Sequence, residues 1–302
     1  MQHLFSNPDL LDLATVRSLL LHRPDNAHKG TFGKAVLVGG DDGMQGALLL
    51  AARSALHSGA GRVYAISLAT QPVTLDVNFP EIMFRPLSQP QEWLALAEHI
   101  VIGTGLGQTA KSMDVLALCL QQNKSLLLDA DALNLIAKQP RLAELMRNRT
   151  SPSVMTPHPA EAARLMDASV EDVQNYRAEC AREIANQFQT ICVLKGAGTI
   201  IAGQDDALFK NPTGNVGLAT AGTGDVLSGL IGGFMAQGMA GIDAAQVGVY
   251  VHGSAADRLV EAGIGPVGLT ASEIITSARL VLNHMYADRD TQLTNEAAFV
   301  TV

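Results

Sequence analysis

Six short, uninterrupted apolar runs, spaced along the first two thirds of the chain, limit the fold more than any other feature. KAVLVGG (34–40), RVYAISL (62–68), HIVIG (99–103), SLLLDA (125–130), SVMTP (153–157) and ICVLKG (191–196) are bounded by glycine, proline or an acid. Runs of this length that do not alternate with polar residues are strands buried on both faces. Between them, GALLLAARSALHSG (46–59), KSMDVLALCLQQN (111–123) and SVEDVQNYRAECAREIANQF (169–188) carry apolar residues at helical spacing. The alternation predicts an α/β fold, with a mostly parallel sheet covered by helices on both faces. In such a fold ligands collect at the carboxyl edge of the strands.

After residue 196 the pattern changes. GTIIAG and ALFKN read as short antiparallel strands, and helices are expected near 224–237, 241–262 and 270–284. About 28 leading residues read as one helix with a polar approach, and the tail from about 287, ADRDTQLTNEAAFVTV, as loosely held. No linker or internal repeat interrupts the chain. A single domain over residues 1–302, with its core at about 30–285, is expected, and 47% hydrophobic residues are ample for its core.

A formal net charge of −8 argues against a nucleic-acid footprint, which needs a basic face. Cys119, Cys180 and Cys192 are odd in number and far apart, so they read as thiols in a reducing compartment. The start lacks the basic region and apolar run of a signal peptide, and no stretch approaches ~18 uninterrupted apolar residues. A cytoplasmic location is expected.

Glycine motifs compete for the chemistry. GTGLGQ (103–108) follows a strand and precedes Asp129 at the end of the next, which suggests a dinucleotide fingerprint. The spacing rejects it, because Gln108 stands where G-x-G-x-x-G needs its third glycine; the other reading is a tight turn at the sheet edge. No GxxxxGK[ST] occurs, so a P-loop is not offered. In NPTGNVGLATAGTGDVLSGL (211–230), Gly222, Thr223 and Gly224 leave backbone amides open. Val226, Leu230 and Phe234, spaced four apart, mark a helix that starts there. Amides and helix dipole together make an anion hole. Asp225 reads either as a base held ionised by those amides or as a helix N-cap, and the flanking glycines favour the base.

GKAVLVGG, TPHPAEAARL, KGAGTIIAG and NPTGNVGLATAGTGDVLSG, in that order over roughly residues 30–285, resemble the ADP-dependent NAD(P)H-hydrate dehydratases of the ribokinase-like superfamily. The resemblance implies a ribokinase-like fold and repair of hydrated NADH or NADPH. A ring hydroxyl is phosphorylated by ADP, then phosphate leaves and the double bond returns. It implies Asp225 as the base and Gly222, Thr223 and Gly224 as the cradle of the phosphoryl group. The KGAGT segment, Lys195, Gly196, Ala197, Gly198 and Thr199, matches the nucleotide-binding segment, with Gly224 also touching the nucleotide; its bland reading is a hairpin turn. Ala47, Gly107 and His158, with Asp225, match positions lining the hydrated-nicotinamide site.

Glu161 in HPAE occupies the place of a glutamate that orders magnesium-bound water in related kinases, but His158 replaces the asparagine of that motif, and a helix-start glutamate is the alternative. Mg²⁺ is the implied cofactor. Asp129, Asp131 and Asn134 match a strand-end segment without an assignable role. The resemblance also implies a homotetramer and a separate epimerase acting on the R form, since 302 residues leave no room for an epimerase domain. Thr104 and Val216 stand where the family commonly has proline. The runner-up is a thiazole or pyrimidine alcohol kinase of the same superfamily, and a further alternative is a non-catalytic nucleotide sensor.

Overall fold

The computed structural model describes residues 7–300, with side chains described as far as Asp288. Its strands are β1 Asp9–Leu10, β2 Lys34–Gly39, β3 Arg62–Ser67, β4 Met83–Phe84, β5 His99–Ile102, β6 Ser125–Leu128, β7 Ser153–Met155, β8 Ile191–Leu194, β9 Ile200–Ala202 and β10 Leu208–Lys210. Helices α1 Leu13–Ser18, α2 Gln45–His57, α3 Pro90–Leu96, α4 Ala110–Leu120, α5 Ala130–Lys138 and α6 Pro140–Arg147 come first. They are followed by α7 Pro159–Met166, α8 Val170–Asn175, α9 Arg177–Phe188, α10 Thr223–Ala236, α11 Gly241–Glu261 and α12 Ala271–Val300.

The strands form one sheet in the order β1-β10-β9-β8-β7-β6-β5-β2-β3-β4. Each of the six apolar runs supplies a strand, and β2 to β8 pair only in parallel among themselves. β9 runs antiparallel to β8 and β10, as GTIIAG and ALFKN led us to expect. The pleat sends alternate residues to opposite faces: Ala35 and Leu37 join one apolar layer, Val36 and Val38 the other. Every strand in the middle of the sheet is thus apolar on both sides, which is why its sequence shows no alternation.

The leading segment is not one helix. Asp9–Leu10 adds a strand parallel to β10, and α1 spans only six residues behind its Asp12 cap. The stretch 169–188 is also broken, because Tyr176 leaves the helical conformation with ψ 46° between α8 and α9. The final helix continues to Val300, through most of the stretch read as a tail.

Helix α10 is buried on all sides from Val226 to Ala236 and lies against α2. Close approach depends on small residues: a Cβ on Gly229 would lie 2.2 Å from the carbonyl oxygen of Ala51, and one on Gly233 would lie 1.9 Å from Ser58 Oγ. Gly229→Val should cost about 3 kcal/mol through overpacking. Chemical denaturation checks this, and a parent-like midpoint would mean that α2 and α10 are not held this tightly.

Candidate active site

Five strand ends converge at the carboxyl edge of the sheet. The loops after β2 and β5 are tied together: Gly40 N–H donates to the Thr104 carbonyl at 3.0 Å and Asp41 N–H to that of Gly105 at 2.7 Å. Gly103 has φ +127°, and a Cβ there would lie 1.8 Å from the Asp129 carbonyl oxygen, so only glycine lets the ends of β5 and β6 meet. Gly107 N–H donates to Asp131 Oδ2 at 2.9 Å, and Gln108 Nε2 to Asp131 Oδ1 at 3.0 Å. Asp131 thereby gains a role that its sequence context did not disclose, which is to hold the GTGLGQ turn. Ala47 lies across that turn, its Cβ 3.1 Å from where a Cβ on Gly105 would be. Asn134 instead ties α5 to α7, accepting from Arg164 Nη1 at 2.7 Å.

At the end of β7, His158 and Glu161 form a reciprocal helix cap. His158 Nδ1 accepts from the amides of Ala160 and Glu161 at 3.1 and 3.3 Å, and Glu161 Oε2 accepts from His158 N–H at 2.7 Å. Burial, with the positive charge of Lys195 behind it, lowers the imidazole pKa. His158 therefore starts the helix as a neutral acceptor, with its ring exposed. Burial raises the pKa of Glu161.

Lys195, at the end of β8, lies at the centre of the charged cluster. Its Nζ is 2.7 Å from Asp129 Oδ1 and 4.0 Å from Glu161 Oε2, while Ser228 Oγ of α10 donates to Asp129 Oδ2 at 2.7 Å. Burial alone would lower the lysine pKa, but Asp129, Glu161 and Asp225 outweigh it and raise it. Behind the turn, Arg177 Nη2 donates to the carbonyls of Leu194 and Lys195 at 3.0 and 3.2 Å.

Helix α10 starts as the sequence suggests, but Asp225 behaves differently from the expectation. Gly222 is the N-cap residue, with φ +89°, and no side chain caps the helix. The N-cap reading of Asp225 therefore fails. So does the idea that amides hold it ionised, because no hydrogen bond to its carboxylate is found among the described residues. Burial instead pushes its pKa up to about 7, reinforced by Asp129 and Asp131 and opposed by Lys195. A carboxylate half ionised at neutrality is suited to accepting a proton there.

Beside this cluster lies a cavity of about 700 Å³, lined by residues 195–199, 210–216, Thr223, Gly224 and, on α11, Val249, His252 and Gly253. The KGAGT residues, including Gly196, Ala197, Gly198 and Thr199, both turn the antiparallel β8–β9 connection and wall this cavity, so the two readings of that segment describe one structure. Asp225, Ala47, Gly107 and His158 are not part of its lining. The 210–216 wall is clamped to α11: Asp257 accepts from Gly214 N–H at 2.8 Å and from Asn215 Nδ2 at 2.9 Å. Ser228, Arg177 and Asp257 were missed in the sequence, since each acts through a partner remote in the chain, and His252 was missed because only the fold brings α11 to the cavity.

Mg²⁺, the ion the family resemblance implies, needs a set of oxygen donors free to coordinate it. Among the described residues no group of three or more histidines, cysteines or acids is arranged to hold a metal ion. Glu161 is committed to the His158 amide, and Asp129 to Lys195 and Ser228. These residues do not make a resident metal centre. An ion arriving with nucleotide phosphates and its own water is the arrangement magnesium usually adopts.

Residues 35–278 match the family described as NAD(P)H-hydrate dehydratase. The chain belongs to this family. It is 41% identical over 269 residues to the ADP-dependent (S)-NAD(P)H-hydrate dehydratase of Neisseria meningitidis serogroup B, covering 87% of this chain and 89% of that protein. It is 38% identical to the bifunctional NAD(P)H-hydrate repair enzyme of Escherichia coli, covering 89% of this chain and 51% of that one, so the chain spans about half the length of this bifunctional relative. Among solved structures, the ADP/ATP-dependent NAD(P)H-hydrate dehydratase of Bacillus subtilis, co-crystallized with ATP/Mg²⁺, superposes with a TM-score of 0.78 at 32% identity, over 92% of this chain and 99% of that one. The ribokinase-like fold implied by the resemblance is the fold observed.

Within this dehydratase fold the two glycines before Asp225 differ. A Cβ on Gly222 would meet Leu50 Cδ1 at 2.5 Å as well as the strain of φ +89°, whereas one on Gly224 would meet only Lys195 Nζ at 3.4 Å. Gly222→Ala should therefore cost on the order of 1–3 kcal/mol of stability, and Gly224→Ala should fold normally with weaker nucleotide binding. Thermal melts and nucleotide titrations of the two variants check this; equal melting points would contradict it.

Proposed function

We propose that the protein dehydrates (6S)-hydrated NADH or NADPH at the expense of ADP, yielding NADH or NADPH, AMP and phosphate. The observation that carries this reading is Asp225, poised near neutrality by burial at the start of α10, next in the chain to Gly224 of the cavity wall and within the electrostatic influence of Asp131, which holds the turn that contains Gly107. ADP occupies the cavity, with Lys195, Gly196, Ala197, Gly198, Thr199 and Gly224 along its phosphates. The hydrated nicotinamide lies against Ala47, Gly107, His158 and Asp225. Mg²⁺ enters with the nucleotide, and Glu161 acts through the helix start it caps.

Asp225 takes the hydroxyl proton as the hydroxyl oxygen bonds to the terminal phosphorus of ADP, and the bond from that phosphorus to the bridging oxygen breaks to release AMP. The open amides of residues 222–224 and the Lys195 ammonium offset the charge that spreads over the transferring group. The ring nitrogen lone pair then expels phosphate and a ring proton leaves, which restores the double bond. The proposal includes a cytoplasmic location, a homotetramer and an independent epimerase that supplies the S form. Among the described residues no helix is long and apolar enough to cross a membrane.

The test is a product balance with purified protein, Mg²⁺, ADP and each epimer. AMP, phosphate and restored NAD(P)H absorbance should appear in equal amounts from the S form only, because a fixed base reaches one face of the ring. A stable phosphoester of a thiazole or pyrimidine alcohol made with ATP, with hydrated NADH untouched, would replace this reading with the kinase.

A further inference from the structure

In a chain of net charge −8, the charged side chains lining the cavity beside α10 are Lys195 and Lys210, with no aspartate or glutamate among them. The two lysines are not equivalent. Lys195 is already matched, with Asp129 at 2.7 Å and Glu161 at 4.0 Å. Lys210 has no acidic partner within 4.0 Å among the described residues. Of the two lining lysines, Lys210 is therefore the one whose ammonium is not already matched by a carboxylate.

Its position is set from both sides. Lys210 ends β10, paired with Ile200 of β9 and Leu10 of β1, and its carbonyl accepts from Leu11 N–H at 3.0 Å. From that fixed backbone the side chain crosses the KGAGT turn at Gly198, where φ is +63°. A Cβ on Gly198 would lie 2.8 Å from Lys210 Cε and 3.7 Å from Nζ. The end of the Lys210 side chain thus lies directly against the bare backbone of Gly198.

We propose that Lys210 contacts the nucleotide polyphosphate and gives the site its preference for nucleoside di- and triphosphates over the monophosphate. This deepens the nucleotide reading of the cavity and rests on it. An ammonium is a compact point charge that attracts phosphate in proportion to the charge offered. ADP offers one phosphate group more than AMP. Transfer of that group removes charge from the nucleotide while Lys210 keeps its own, so the contact that holds ADP weakens for the product and favours AMP release. Because the side chain is exposed, the pair is screened by water and salt, and the effect is modest.

The experiment titrates ADP, ATP, AMP and adenosine into the parent protein, Lys210→Met and Lys210→Arg at two salt concentrations. Lys210→Met should weaken ADP and ATP about two- to five-fold and AMP less than about 1.5-fold, leave adenosine unchanged, and flatten the salt dependence of ADP binding. Lys210→Arg should retain most of the ADP affinity. Parent-like ADP affinity in Lys210→Met, or equal weakening of ADP and AMP, overturns the assignment while leaving the function standing if turnover with ADP is intact. A parent protein that binds none of the four nucleotides overturns the function and this assignment together.

Discussion

Asp225→Asn should lower turnover about 10²- to 10⁴-fold, the usual contribution of a positioned base, while ADP still binds. The same substitution should stabilise the fold, and the sign follows from the shift. The folded-state pKa of Asp225 is raised to about 7, well above the ordinary carboxylate value of 3.8. Its contribution to stability is therefore present in acid and lost as pH rises through about 7, where the buried group must ionise. Asparagine never ionises, so the variant should melt above the parent at about pH 8, and the gap should close towards about pH 4. Single-turnover kinetics and melts across that range check both. More than a few per cent of residual activity would remove Asp225 from the base role.

Asp129→Asn has the second largest expected effect and acts differently. Asp129 is the close partner of the Lys195 ammonium, and its side chain is only 2% exposed. Neutralising it leaves a largely buried cation, its side chain 17% exposed, without its main counter-charge, at a cost of about 2 kcal/mol, below that of a fully buried pair. It also removes the negative charge that, after burial, does most to raise the Asp225 pKa. In the parent, activity should rise with pH through about 7 as Asp225 ionises. In Asp129→Asn that rise should move to lower pH, with turnover reduced because Lys195 is no longer held. An unmoved acid limb would mean that Asp129 does not communicate with Asp225.

The strands from β2 to β8 that face apolar layers on both sides could be read from the chain, because double burial leaves a run that nothing else explains. β1 could not, since two residues become a strand only when β10 is there to pair with. The break at Tyr176 was hidden for a related reason, as the apolar spacing continues across it. At the site, the positions were legible and several of their states were not. Asp225 was read against its own helix, where amides and dipole favour the anion. The opposite outcome is set by burial and by Asp129, which comes from another strand end. Lys195 and Asp129 are 66 residues apart, and Ser228 and Asp129 are 99 apart, so no local pattern joins them. His158 was recognised as a site residue, yet its use as a helix cap follows from the arrangement of Ala160 and Glu161 around it.

The two-residue strand β1 has a practical consequence for anyone handling this protein. It is the outermost strand on its side of the sheet, and it shields β10, whose last residue, Lys210, carries the nucleotide-facing ammonium. Trimming a recombinant chain to begin after Leu11 would strip that shield and leave β10 as an open rim of unpaired amides and carbonyls, the kind of surface onto which a second sheet readily adds. Preparations shortened in this way should self-associate more readily and grip ADP less firmly, and added nucleotide should partly reverse the clumping by drawing Lys210 back to its place.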